Sequence, residues 1–314
     1  YGDHRDLHRV DRRQRQMCIR DSICSGGIFD HVAGGLSRYS VDELWLVPHF
    51  EKMLYDNAQL LLLLSKFYLV THKKAYKDKA KQIADWLINE MQDESGGYYS
   101  AIDADSEGVE GKFYIWSYKE LKNILRDDLR FFSEVFNVKE QGNWEGSIIL
   151  SRYKNLHISE ENEAKIQLLL VKLKHHRQKR IRPQLDNKIL TDWNGLAIEA
   201  MAYAGKIFND DKYLKSAEAA FKFIVEKMFK KNKLYHSNCK GINKHFGLLD
   251  DYVHLSKAAL TLYETTGKYH YFEQTVTLAN CINSYFTSNE GGFYTNSNDH
   301  NDCLLYTSPS PRDS

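Results

Sequence analysis

The stretch AIDADSEGVEG, residues 101–111, sets Asp103, Asp105 and Glu107 at alternate positions ahead of Gly108. That spacing matches positions 1, 3, 5 and 6 of an EF-hand loop, in which side-chain oxygens ligate calcium and the glycine makes the turn. Position 12, which must carry a bidentate glutamate, is Tyr114, and the aromatic run FYIW reads as a strand where a helix is required. No metal and no other cofactor is expected. The stretch reads as an acidic turn, or as a source of catalytic carboxylates in Asp103 and Asp105.

The densest polar stretch is SRYSVDELWLVPHFEKMLYDN, residues 37–57. His49 and Asp56 are candidates for general acid or base chemistry, while Arg38, Trp45, Glu51 and Tyr55 could anchor hydroxyls or stack on a ring. A single His near a helix start is more often a structural hydrogen-bonding residue. Pro48 sets the expected helix start about two turns ahead of Asp56, which places Asp56 and Tyr55 inside the helix, where a carboxylate needs a partner. Two later segments repeat the theme: LTDWNGL supplies Asp192, Trp193 and Asn194, and LLDDY supplies Asp250, Asp251 and Tyr252. Asp192 and Asp250 also suit N-caps, because negative charge at a helix start is favoured. His254, one turn inside its helix, reads as packing, and HHRQKRIR (175–182) as a solvated helix C-terminus.

These residues recur because the elements that carry them recur. LYDNAQLLLLLSKFY, LTDWNGLAIEAMAYA and LDDYVHLSKAALTLY each place an aspartate beside an aromatic at the front of a broadly apolar helix. Each is followed by a lysine-rich second helix, starting near residues 75, 212 and 268, and then by a glycine or aromatic signal: GGYY, KLYH or GGFY. A fourth signal, GGIFD, stands at residues 26–30. Between the first two copies lies an irregular unit. It opens on the capping box SYKE (117–120) and continues through a short hairpin, GNWEGSIIL, to a charged helix near residues 159–179. An inner helix, an outer helix and a return loop, repeated, describe an all-α toroid with short β segments in its returns; an open helical solenoid is the alternative. In the toroid, the return loops and the inner-helix fronts share one rim. Carboxylates and aromatics gathered there suit sugars, whose rings stack and whose hydroxyls hydrogen-bond.

The bulk composition narrows the partners. Forty-three Lys and Arg against 42 Asp and Glu leave no global field for nucleic acid or an anionic membrane, and 42% hydrophobic residues suffice for a large core. The strongest apolar run, residues 60–70, is too short to span a bilayer. Five scattered cysteines without a CxxC pair, and no secretory signal pattern, fit a reducing, cytoplasmic setting. Residues 1–22 and 303–314 show no periodicity and read as non-native tails flanking a toroid domain at 23–302.

GGIFDHVAGGLSRYSVDELWLVPHFEKMLYDNAQL, DADSEGVEGKFYIW, DNKILTDWNGL and LLDDY together resemble the spermatogenesis-associated protein 20 and bacterial YyaL family, over about residues 25–300. The resemblance implies an (α/α)6 toroid similar to six-hairpin glycosidases and N-acylglucosamine 2-epimerases, preceded by a thioredoxin-like domain. The chain would then be an incomplete piece of the toroid. Two functions follow: a carbohydrate-active or sugar-binding domain, or a non-catalytic scaffold that presents clients to the thioredoxin-like domain.

Overall fold

The computed structural model describes residues 21–152, 158–288 and 291–297. Three helical hairpins dominate it. The inner helices are α1 (Leu54–Thr71), α6 (Thr191–Phe208) and α8 (Leu249–Thr266); the outer ones are α2 (Lys74–Trp86), α7 (Asp211–Phe223) and α9 (Tyr269–Phe286). α6 packs between α1 and α8. Its Ala197, Ile198, Ala200, Met201, Ala202 and Ala204 have no exposed surface. Small side chains on this helix let its neighbours approach closely. A Cβ on Gly195 would lie 2.6 Å from the backbone carbonyl carbon of His254 on α8, so a side chain there would force the helices apart. Both α2 and α7 widen into a π turn at their C-terminal ends, Leu87–Met91 and Ile224–Met228, a further sign of the repeat.

The irregular unit forms α3 (Tyr118–Leu125), α4 (Leu129–Phe136) and α5 (Glu160–Arg177). Ser117 caps α3 by accepting from the Glu120 amide at 3.2 Å, and Ser159 caps α5. This unit closes its own small core around Leu121, Phe132, Phe136, Ile148 and Leu169. Asp21 and Ser22, at the inner end of the expected tail, begin a helical turn, and Asp21 accepts a bond from Tyr76 Oη at 2.8 Å. The rest of both expected tails lies outside the described residues. No described helix is long and apolar enough to cross a membrane.

Short strands tie each return segment to the residues just ahead of its own inner helix. β4 (Ala101–Ile102), after α2, pairs with β3 (Lys52–Met53), before α1. β10 (Lys233–Cys239), after α7, pairs with β8 (Ile189–Leu190), before α6. After α9 the Thr295 carbonyl accepts from the Leu249 amide at 3.0 Å. The rim expected from the repeat is thus built by backbone hydrogen bonds.

A side-chain latch at the same helical position joins each inner helix to the preceding return. Asn57 accepts from the Leu36 amide at 2.6 Å and donates to the Leu36 carbonyl at 3.0 Å. Asn194 does the same with Tyr98, at 2.8 and 2.9 Å. On α8 the hydroxyl of Tyr252 accepts from the Leu234 amide at 2.8 Å. The structure thereby corrects the sequence-based assignment of Asn194 and Tyr252 to ligand binding. Asn194 has no exposed surface and its amide is consumed by backbone, while Tyr252 is buried with its hydroxyl in use. Asn57→Ala and Asn194→Ala should each cost about 2–4 kcal/mol of unfolding free energy, because both strand buried backbone groups. Urea denaturation reads this directly, and a loss under about 0.5 kcal/mol for both would remove the latch from the account.

Candidate functional site

Two polar groups stand side by side on the rim, joined by the edge-to-face pair Tyr55–Trp193 (ring centroids 4.8 Å apart) at the fronts of α1 and α6.

The first gathers residues from the 37–57 stretch. Its short antiparallel strands β1 (Tyr39–Ser40) and β2 (Pro48–His49) pair Tyr39 with His49 and bring their rings within 5.0 Å. Arg38 binds Glu51 at 3.0 Å, and Tyr55 with Glu51 favours its charged form. Against the expectation from Pro48, that residue lies in β2 and α1 begins only at Leu54, so Asp56 sits in the first turn. Its Oδ2 is buried and without a hydrogen-bond partner. Burial pushes the Asp56 carboxyl up to about 6; Arg38 opposes this and Glu51 adds to it. Trp45 holds a left-handed backbone position (φ 58°) in the 41–47 turn, where its carbonyl accepts from the Ile28 amide.

The acidic stretch is a two-stranded hairpin, β5 (Asp105–Ser106) against β6 (Val109–Glu110). Its turn residues Glu107 and Gly108 both have positive φ, 55° and 74°, as a type I′ turn requires. Asp103 and Asp105 are exposed, and the Asp103 carboxylate accepts only a long bond from the Asp105 amide. The residue of this hairpin that reaches the site is Glu110, which meets His49 Nδ1 at 2.7 Å. Alternation alone favoured Asp103 and Asp105; the hairpin register selects the carboxylate at the far end of β6.

The second group is Asp192, His236 and Asp251, whose ligand atoms all lie within 4.8 Å of one another. Asp251 has no exposed surface. Its carboxylate accepts from the Leu248 amide (2.8 Å), the Asp192 amide (2.9 Å) and His236 Nδ1 (3.0 Å). It therefore closes the front of α8 and ties it to that of α6. Neither Asp192 nor Asp250 is an N-cap: those positions are Leu190 and Leu248, and Asp250 is exposed. Asp192 is half-buried, with one oxygen accepting from the Trp193 amide at 2.8 Å. Burial and the neighbouring Asp251 charge raise its carboxyl above the ordinary 3.8. The Asp251 hydrogen bond raises the His236 imidazole above 6.5, against burial. With Nδ1 donating to the carboxylate, Nε2 is the nitrogen left for proton exchange. His254 lies close enough to oppose the Asp192 shift, and its Nδ1 is buried without a partner.

Sequence reading placed Asp192 and Asp251 at the rim but missed His236 and Glu110. His236 belongs to the return signal KLYH, yet its two counterparts in GGYY and GGFY are not histidine, so the repeat gives no warning of it.

The buried carboxyl of Asp56 carries a pH signature. A carboxyl raised on folding contributes stability in its neutral form, fully present below 3.8 and lost as pH climbs through about 6. Asp56→Asn should accordingly stabilise the protein at pH 7.5 by about 1–2 kcal/mol, after allowance for partial solvent exposure, and change little at pH 4. Urea melts at the two pH values test this; equal effects at both would contradict it.

The chain is 30% identical over 328 aligned positions to human spermatogenesis-associated protein 20, and 32% identical over 322 to an uncharacterised Caenorhabditis elegans protein. These alignments include 90% and 89% of this chain but 42% and 44% of those proteins, so the chain spans under half of their length. No family model matches. Among solved structures, cellobiose 2-epimerase from Spirochaeta thermophila superposes with a TM-score of 0.55 at 13% identity, covering 94% of this chain and 61% of that one. A family 76 glycoside hydrolase from a bovine Bacteroides thetaiotaomicron strain gives 0.53 at 14% identity, covering 95% and 47%. At such identities these likenesses establish the fold alone, that of a glycosidase-like (α/α)6 toroid, of which the described residues supply three hairpins and the irregular unit.

Proposed function

We propose, from the premise that this chain is a relative of spermatogenesis-associated protein 20 built on a glycosidase-like toroid, that its rim performs acid–base chemistry on a carbohydrate. The observation that carries this reading is the convergence of Asp192 and His236 on the buried Asp251. The bond to Asp251 holds the His236 imidazole towards its charged form, beside the Asp192 carboxyl. That pairing supplies a base and an acid at once: Asp192 takes a proton from water for hydrolysis, or from the carbon beside a substrate carbonyl for epimerisation, and His236 Nε2 gives one to a glycosidic or ring oxygen. Asp251 takes no part in either proton transfer and orients the imidazole. Tyr55 and Trp193 offer aromatic surface beside the pair, and Arg38, Glu51 and His49 offer hydroxyl-binding groups on the adjoining sector. Asp103 and Asp105, exposed on the hairpin, have no part in this chemistry. The thioredoxin-like domain implied by the family resemblance is the proposed neighbour of the toroid in the full-length protein.

A screen of oligosaccharides and reducing sugars in deuterated buffer tests the reading. Release of reducing ends identifies hydrolysis, and solvent deuterium at a carbon next to the carbonyl identifies epimerisation. Activity should follow a bell-shaped pH profile, with its acid limb above 3.8 from Asp192 and its alkaline limb above 6.5 from His236. Asp192→Asn and His236→Gln should each lower kcat by about 10²–10⁴-fold. Wild-type protein that turns over no sugar, or activity indifferent to both substitutions, would refute it.

A further inference from the structure

A partly open pocket, roughly 140 Å³, is lined by none of the residues assigned above to the acid–base pair. Its walls include Lys52, Tyr114, Arg177, Arg182, Asp30 and Glu90. Lys52 and Arg177 are 2% and 4% exposed and converge on one carboxylate. Arg177 grips Asp30 through both nitrogens, at 2.9 and 2.7 Å, and Lys52 Nζ reaches the same group at 2.8 Å. The other carboxylate, Glu90, is bound by Arg182, whose side chain is 57% exposed. Three cations thus face two anions around the space. Removing an unbalanced positive charge from water is costly unless something compensates it. Aromatic faces meet part of that cost: Lys52 Nζ lies 4.9 Å from the Tyr114 centroid, and Arg177 Cζ 5.1 Å from that of Phe113.

We propose that this pocket binds a small oxyanion, a carboxylate or a phosphate, which supplies the missing negative charge. Lys52 and Arg177 form the fixed floor. Arg182 is the adjustable wall, able to turn from Glu90 to the ligand because it alone of the three cations is solvent-exposed. The space admits a small oxyanion of a few heavy atoms and is too small for a nucleotide.

The experiment is calorimetric titration and thermal melting of the protein with inorganic phosphate and, in a separate arm, with acetate, at low chloride. Saturable binding of at least one is expected, and the stronger arm identifies the ligand class. Arg182→Ala should weaken binding roughly tenfold, since it removes one charge-assisted contact from an exposed position that folding does not need. Glu90→Gln should tighten it severalfold, because Arg182 is released and a repelling carboxylate is gone. These opposite signs separate a binding site from a structural ion-pair network, in which both substitutions would lower the melting temperature and neither would alter the anion response. Absence of saturation by both anions up to on the order of 10 mM, or identical affinity in wild type and both variants, would overturn the proposal.

Discussion

Asp251→Ala should lower the unfolding free energy by about 3–5 kcal/mol, one of the two largest single-residue effects expected in this protein. The aspartate has no exposed surface, and its loss orphans the Leu248 and Asp192 amides and the His236 Nδ1 proton together. Two helix fronts lose a backbone anchor, so the cost exceeds that of an ordinary cap. Asp251→Asn keeps the shape but offers a single acceptor oxygen, and should fall between alanine and wild type. A second measurement separates the site from the scaffold. The His236 imidazole is raised above 6.5 mainly by its bond to Asp251, so its NMR titration should move back towards 6.5 in Asp251→Asn. An unmoved titration would mean that the pair does not exist in solution. The same pair sets a pH dependence of stability. A base raised on folding stabilises most below its unfolded value of 6.5, and that contribution disappears as pH rises through the higher folded value. Wild type should lose this increment on going from pH 6 to pH 9, and His236→Gln should not.

The second large effect is Asp30→Asn, expected to cost about 3–5 kcal/mol in urea denaturation. Removing the one carboxylate between Lys52 and Arg177 leaves two buried cations facing each other. Burial alone would raise the Asp30 carboxyl, but Arg177 and Lys52 outweigh it and hold the group far below its usual 3.8. The stabilisation it provides is fully present above 3.8 and persists well into acid, so the deficit of the variant should be the same at pH 5 and pH 8. Lys52→Met combined with Asp30→Asn should recover part of the loss, since one desolvated charge is removed with its partner. A double variant no better than Asp30→Asn alone would show that packing around Lys52, and not its charge, governs this region.

The sequence by itself determined the hairpins, because an inner helix that is buried on most sides must be apolar over most of its circumference. α1, α6 and α8 announce themselves in LLLLLSKFY, LAIEAMAYA and HLSKAALTLY. It also determined the rim, since the return signals recur at fixed places after the outer helices. The Ser117 cap was equally legible, being a local pattern, but the Glu120 carboxylate of the expected capping box is bound by Arg180 at 2.7 Å. The family resemblance rested on longer motifs and holds over nine tenths of the chain.

Tertiary structure alone decided which rim residues act together. Asp192 fronts α6, His236 lies on β10 and Asp251 fronts α8; they meet because β10 pairs with β8 and α8 packs on α6, contacts that no local period encodes. The same non-local geometry turned Asn194 and Tyr252 from apparent ligand groups into latches. It left Asp103 and Asp105 in solvent and gave their expected contact to Glu110. A helix front specifies its own residue types by capping and burial. Whether a polar side chain there is spent on backbone or left for chemistry depends on the neighbouring hairpin, whose position is fixed only when the whole array packs.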